Sequence, residues 1–195
     1  MGSTTRERII DAGVTLFRRQ GYAGTGMKAI AKQASAPFGS IYHFFPGGKD
    51  ELSAEVVRAA GRAYALLIPM FFDSEPDVAV ATRNAFVGAA QTLRASDYAD
   101  ACPIATLALE VASTNEPLRI ATADVFTQWT RDMADRYIAA GIDSGAAEGL
   151  AVTIISALEG AFVLSRAWRD ARAVERVGET MFQLVRAAQA AQGGA

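Results

Sequence analysis

The side chains in this chain that could do chemistry gather between residues 25 and 49, in TGMKAIAKQASAPFGSIYHFFPGGK. They are Thr25, Lys28, Pro37, Phe38, Gly39, Ser40, Tyr42, His43 and Lys49. Offered on short helices, they suit the recognition of something that docks there. Spacing sorts them into faces. Met27, Ile30, Ala31 and Ala34 recur at helical intervals, which predicts a short helix with one apolar side. Small residues at Ser35 and Ala36 make a turn, and Pro37 stands where a second helix starts, a place that tolerates a missing amide hydrogen. Pro37, Ile41 and Phe45 then share the inner face, leaving Phe38, Ser40, Tyr42 and His43 outside. Two aromatics, a hydroxyl and an imidazole offered to solvent suit the major groove of a DNA duplex. Lys28, Thr25 and Lys49 stand at helix starts or on exposed faces, and Phe38 and Ser40 sit where base edges or thymine methyls would be. The alternative for Tyr42 is packing against the following helix.

Other chemistries fall away on spacing. His43 is the chain's one histidine and has no Asp or Cys partner at ligand spacing, so no metal is expected. Gly21, Gly24 and Gly26 have the wrong spacing for a dinucleotide fingerprint and follow a helix rather than a strand. Gly47-Gly48-Lys49 lacks the upstream glycine of a phosphate loop, since position 43 is His, and lacks Ser or Thr after the lysine. Cys102 precedes Pro103 with no second cysteine to pair with, and reads as a small structural residue at a helix start, the alternative being a reactive thiol. No cofactor is expected.

Charge is split along the chain. Residues 1–50 hold seven Lys or Arg against three acids, a balance of +4, while the whole chain carries −2. A basic head on an acidic body supplies the local positive charge that phosphates need without a basic overall composition. The 195 residues suffice for one or two domains with a sizeable core. No uninterrupted apolar run reaches the roughly 18 residues of a membrane span, and the N-terminus lacks a signal peptide's apolar stretch. A cytoplasmic protein without a membrane partner is expected.

The elements that must hold these residues are all helices. A first runs from Arg6 to Arg19 behind Thr4 or Thr5, burying Ile9, Ala12, Gly13, Leu16 and Phe17, and Gly21 stops it. The two short helices follow. A fourth runs from about Lys49 towards Ile68, where Pro69 ends or kinks it. Further helices are expected from Pro76 to Ala95, from Pro103 to Ala112, from the 113–117 turn to Ala140, from Asp143 or Ser144 to Trp168, and from Ala171 to Ala190. No stretch alternates at a period of two. The fold class is therefore all-α with about nine helices: a three-helix DNA-binding domain at 1–46, and a ligand-binding and dimerisation domain at 47–195.

Gly21-Tyr22, Thr25, Ile30-Ala31, Gly39-Ser40-Ile41-Tyr42, Phe45-Pro46 and Lys49 with Leu52 follow one another after an amphipathic helix. This order resembles the N-terminal domain of TetR-type bacterial transcriptional regulators, in detail over about residues 5–55. The Ala36-Pro37-x-Gly-Ser-Ile-Tyr-His and Phe-Pro-Gly-Gly-Lys wording, with Cys102-Pro103-Ile104 and Glu110 later, is similar to the LmrA/YxaF-like branch. Two positions depart from the family: Ser35 replaces the usual turn glycine, and Ala36-Pro37 replaces the usual Val-Ser. The resemblance implies that Lys28, Thr25 and Lys49 contact phosphates and that Tyr42 touches the DNA backbone.

The body offers Leu67, Met70, Phe71, Phe72, Phe86, Leu107, Phe126, Trp129, Met133, Phe162 and Trp168 as core or dimer contacts. Glu110 in TLALEVA and Glu159 in ISALEGAF are acids flanked by apolar residues, and a buried carboxylate needs a partner. Either pairs with an arginine or lines a cavity. With Phe72, Phe86, Leu107 and Trp129 they form the expected ligand site, for a small apolar, aromatic or cationic molecule. Two apolar stripes suggest a four-helix dimer contact: Ile154, Ile155, Leu158, Ala161, Phe162, Ser165, and Val174, Val177, Met181, Leu184, Val185, Ala188. Two functions are weighed. One is a homodimeric, ligand-responsive repressor on a palindromic double-stranded operator, released by an inducer. The other is a small all-α enzyme or ligand carrier that binds no DNA; no catalytic constellation supports it.

Overall fold

A computed structural model describes residues 3–100 and 102–192. Among them lie ten helices and no strand: α1 (Thr5–Gln20), α2 (Met27–Gln33), α3 (Phe38–Phe44), α4 (Gly48–Ala65), α5 (Leu67–Phe72), α6 (Val78–Ala95), α7 (Pro103–Val111), α8 (Glu116–Ala139), α9 (Ser144–Trp168) and α10 (Arg172–Gln192).

Most helix starts follow from a capping side chain. Thr4 and Glu7 form a reciprocal box: Glu7 N donates to Thr4 Oγ1 at 3.2 Å, and Thr4 N donates to Glu7 Oε2 at 2.7 Å. Asp77 Oδ1 accepts from the amides of Ala79 and Val80, and Asp143 Oδ1 from those of Gly145 and Ala146. Asn115 Oδ1 accepts from Leu118 N, and the Cys102 sulfur from Ala105 N at 3.4 Å. By contrast α2 and α3 begin at Gly26 and Pro37 without a side-chain cap. Both helices are also short, so tertiary packing rather than local propensity must hold them.

The single fourth helix expected from Lys49 towards Ile68 is instead divided at Leu66 into α4 and α5. Proline explains the place of the break. A continuous helix would need an amide hydrogen at Pro69 and would press its ring on the carbonyl of Ala65. Starting a new helix at Leu67 puts Pro69 in its first turn, where the missing donor costs nothing.

Helix ends show a second regularity. At α2 the amide of Ala36 donates back to Ala31 O at 3.0 Å, with Ser35 between them at φ 50°. The ends of α6 (Tyr98 to Leu93, 2.8 Å), α8 (Ile142 to Tyr137, 3.0 Å) and α9 (Asp170 to Ser165, 3.0 Å) repeat the loop. Each needs a left-handed residue to turn the chain. Only α8 uses glycine, Gly141 at φ 89°; α2, α6 and α9 use Ser35, Asp97 and Arg169.

The chain forms two compact units, each drawn from two stretches of sequence. The first combines Met1–Ala63 with Ala101–Val125, and the second combines Tyr64–Asp100 with Phe126–Ala195. In the first, α1 packs on α2, α3 and α7, around fully buried Ile9, Ile30, Ile41, Phe45 and Leu52. In the second, α10 packs on α6 and α9, over a core that includes Phe72, Phe86, Leu93, Tyr137, Val174 and Val185. The Tyr137 hydroxyl lies 2.7 Å from Thr82 Oγ1, which itself donates to Val78 O. Burial pushes the Tyr137 phenol well above the ordinary range, and with the threonine hydrogen given to Val78 O the phenol is left as the donor.

Half of each stripe expected at a dimer contact is buried within the chain, and Leu184 stays exposed. Ile154, Ala161 and Ser165 of α9, and Val174, Met181 and Val185 of α10, are buried within the chain. A stripe of bulky side chains is taken by the nearest apolar surface, which here is the chain's own. The outward side of α9 is instead a line of smaller residues, Gly149, Val152, Ser156, Gly160 and Val163.

Backbone conformation supplies a two-sided test of the turns. Ser35→Gly relieves a left-handed conformation that disfavours a Cβ and should raise the unfolding free energy by about 0.5–1 kcal/mol. Gly141→Ala, where a Cβ would meet nothing within 4 Å, should lower it by about 1 kcal/mol through φ alone. Urea midpoints at unchanged m report both. Equal midpoints for Ser35→Gly and wild type would mean that Ser35 bears no strain.

Candidate nucleic-acid interface

α3 is positioned by what it buries. Ile41 and Phe45 are fully buried, and the Arg6 guanidinium lies over the Phe45 ring at 5.3 Å while pairing with Glu55 at 2.8 Å. The opposite side is open. Phe38 is 42% exposed and Tyr42 49%, their rings meeting edge to face at 5.6 Å, and Gly39 and His43 are exposed beside them. His43 meets Phe44 edge on at 5.0 Å, and Ser40 is half-buried. Pro37, expected on the inner face, is exposed and caps the helix. Of the expected set, α3 thus brings Pro37, Phe38, Gly39, Tyr42 and His43 together on one accessible surface. The packing alternative for Tyr42 holds only at its margin, where a ring atom lies 3.9 Å from the position of a Cβ at Gly48.

The three phosphate candidates differ. Lys28 is exposed on α2 and makes no hydrogen bond or ion pair to a described residue. Thr25 is fully buried, against expectation: its hydroxyl donates to Gly21 O at 2.6 Å and accepts from Gln20 Nε2 at 3.3 Å. It satisfies a carbonyl left open where α1 ends, so its side chain is spent on the turn. Lys49 is also held. Its ammonium donates to Tyr22 O at 2.7 Å and sits 4.0 Å from the centre of the Tyr22 ring. Burial holds the Lys49 ammonium below its usual range, against the opposing pull of Glu110 and Asp50.

These contacts converge on the α1–α2 turn. Tyr22 OH donates to Asp50 Oδ1 at 2.6 Å; burial, reinforced by that carboxylate, pushes the phenol up to about 12. The amides of Tyr22 and Ala23 donate to the two oxygens of Glu110, at 3.1 and 2.7 Å. Glu110 is therefore neither buried nor paired with an arginine, as its apolar neighbours suggested, but exposed and engaged with backbone. The approach is so close that a Cβ at Gly21, φ 72°, would collide with Glu110 Oε1. Gly21 serves as more than a helix stop. Arg8 adds a further tie, its Nε donating to Ala34 O at 3.2 Å at the end of α2.

The expected ligand site is not gathered in one unit. Leu107 and Glu110 lie in the first, while Phe72, Phe86, Trp129 and Glu159 lie in the second. There Phe72 meets Tyr137 edge on at 5.7 Å, Trp129 packs with Phe126 and Tyr64, and Glu159 is half-buried. Leu107 is core, 1% exposed. Sequence reasoning missed Tyr22, Asp50 and Arg8, because their partners are distant in the chain; the glycine before Tyr22 was the one local signal.

Removing the Glu110 carboxylate should expose the turn's wiring. Glu110→Ala leaves two amides without their acceptor and should cost about 1–2 kcal/mol, with faster hydrogen exchange at Tyr22 and Ala23. Gly21→Ala should cost more than about 2 kcal/mol, combining the collision with a backbone region reserved for glycine. The double variant should cost less than the two effects added, since removing Glu110 removes the collision. Strict additivity would mean that backbone conformation alone explains Gly21.

With this geometry in place, comparison with known proteins is informative. Residues 9–63 match the model of bacterial regulatory proteins of the tetR family, and residues 79–180 match that of the C-terminal domain of LmrA/YxaF-like transcriptional regulators. The HTH-type transcriptional regulator YxaF of Bacillus subtilis (strain 168) is 34% identical over 182 residues, 93% of this chain and 95% of that protein. LmrA of the same organism, also an HTH-type transcriptional regulator, is 29% identical and covers 83% of this chain and 86% of its own length. In fold, the regulatory protein TetR from Rhodobacter sphaeroides superposes with a TM-score of 0.82 at 21% identity, covering 93% of this chain and 99% of that one. A TetR transcriptional regulator from Legionella pneumophila does so with a TM-score of 0.82 at 22% identity, covering 93% and 97%. The capped helices, the open face of α3 and these matches over nearly the whole length lead to one conclusion: this chain belongs to the TetR family of bacterial transcriptional regulators, with a C-terminal domain of the LmrA/YxaF type.

Proposed function

We propose that the chain is a ligand-responsive repressor that binds a palindromic DNA operator as a homodimer in the cytoplasm and is released by a small apolar or aromatic inducer. The observation that carries the DNA part is the exposed face of α3, with Phe38, Tyr42 and His43 outward on a segment of net charge +4. Lys28 is the phosphate contact best supported, being exposed and without a hydrogen bond or ion pair to a described residue. Lys49 contributes its charge while it holds the Tyr22 carbonyl.

The outward side of α9 supports the dimer. Val152, Val163 and Trp168 are 55%, 62% and 60% exposed. Gly149 and Gly160 lie inside the helix, where each costs about 1 kcal/mol relative to alanine, and a Cβ at either would meet nothing within 4 Å of the chain. Their smallness is unexplained within one copy and is explained by the close approach of a second. α9 is also long and apolar enough, by length and composition, to cross a membrane, with 28% of its most apolar window buried. In a family of DNA regulators, a second copy is the cover that suits such a helix. Two-fold symmetry would present two α3 helices to half-sites about one helical turn apart, roughly 34–36 Å.

For the inducer, Phe72, Phe86, Trp129 and Glu159 of the second unit remain the proposed contacts, and the Thr82–Tyr137 pair adds a polar group among them. Glu110 leaves this set, because its carboxylate is already engaged by amides. A tenfold loss of operator affinity needs about 1.4 kcal/mol of coupling between inducer and DNA.

Selection of duplexes from a randomised pool, followed by binding over a salt series, tests the reading. Lys28→Ala should weaken binding to every sequence and reduce the salt slope by about one. An unchanged slope would remove α2 from the docking face. Gly160→Leu should fold as the wild type does and sediment as a monomer at micromolar concentration, where the wild type sediments as a dimer. A dimeric Gly160→Leu would place the interface elsewhere.

A further inference from the structure

We infer that Phe38 reads the 5-methyl group of a thymine in each operator half-site. The inference rests on the DNA-binding reading above and specifies what one side chain recognises there. Phe38 is the first residue of α3, and the first residues of a recognition helix are those that meet base edges in the major groove. Its ring is 42% exposed and is steadied by the edge-to-face contact with Tyr42, so the phenyl stands outward in a defined place. The next residue is Gly39, a helical glycine at which a Cβ would meet nothing within 4 Å. Nothing inside the chain requires a glycine there; a surface coming close to the helix does.

The chemistry of the groove then selects the base. A phenyl ring neither donates nor accepts a hydrogen bond of ordinary strength. Facing guanine, adenine or cytosine, it would cover N7, O6, an N6 amino or an N4 amino group and leave it unsatisfied. Thymine alone among the four bases presents an apolar group in the groove, the methyl on C5. Phe38 therefore favours thymine by contact and disfavours the others by desolvation, where a lysine or arginine in the same place would favour guanine.

The test replaces single thymines by deoxyuridine, which removes the methyl and keeps every hydrogen-bonding edge. The probe is a duplex that the wild-type protein enriches from a randomised pool. One thymine per half-site should be sensitive, with affinity falling about fourfold, the worth of one buried methyl group. Phe38→Ala should bind the thymine and deoxyuridine duplexes equally, and Phe38→Leu, which keeps an apolar side chain, should retain part of the difference. Replacing the same thymine by cytosine should weaken binding, and 5-methylcytosine should recover some of that loss. Sensitivity that persists in Phe38→Ala, or an enriched duplex with no sensitive thymine, overturns the inference and leaves DNA binding standing. A pool from which nothing is enriched overturns both. Because Phe38 is exposed, an unchanged thermal midpoint for the variants confirms that binding, not folding, is being read.

Discussion

The carboxylate of Glu110 is the constraint on which the head of this protein rests. It takes two backbone amides of the α1–α2 turn at once, with both oxygens engaged. Charge-assisted hydrogen bonds of this kind are about twice as strong as neutral ones, and a pair fixes orientation as well as distance. Around the same few residues, Lys49 holds the Tyr22 carbonyl, Asp50 holds the Tyr22 hydroxyl and Thr25 holds the Gly21 carbonyl. A turn that sequence would class as a simple connector thus has its donors and acceptors met by side chains from α4, from α7 and from within itself. The position of α2, and through it of α3, follows from that satisfaction.

Neither short helix has a side-chain cap, and α2 ends on a left-handed serine. Local energetics alone would not keep such segments helical. Their order comes from buried Ile30, Ile41 and Phe45 and from the Arg8 bond to Ala34 O. This leaves the outer side of α3 free of structural duty. A side chain with no role in holding its own helix can vary with the partner it meets, and Phe38 and His43 are of that kind.

What could be read from the sequence follows the range of the physics involved. Capping at Thr4, Asp143 and the 113–117 turn, and the burial of Ile41 and Phe45 in and after α3, depend on residues a few places apart and were legible. The division at Leu66 was half legible: Pro69 announced an interruption, but its ring acts on the carbonyl four residues earlier, so the break falls before it. The stripes on α9 and α10 were legible as apolar, but an apolar face does not say how much of it its own chain covers. Glu110 was legible as unusual and not as a clamp, since its donors are 87 and 88 residues away. Lys49 was hidden in the same way, because the Tyr22 carbonyl it holds is 27 residues away, whereas Thr25 bonds within its own turn.

The discontinuity of the first unit has a consequence in time. Its two segments, Met1–Ala63 and Ala101–Val125, are separated by part of the second unit, and the clamp joins residues on both. A ribosome adding about 5–20 residues per second needs several seconds more to reach Glu110 after it has finished the helix-turn-helix segment. During that interval the carboxylate is absent and water must meet the amides of Tyr22 and Ala23. The newborn head is thus complete in sequence through its helix-turn-helix before the clamp that joins its two segments can form.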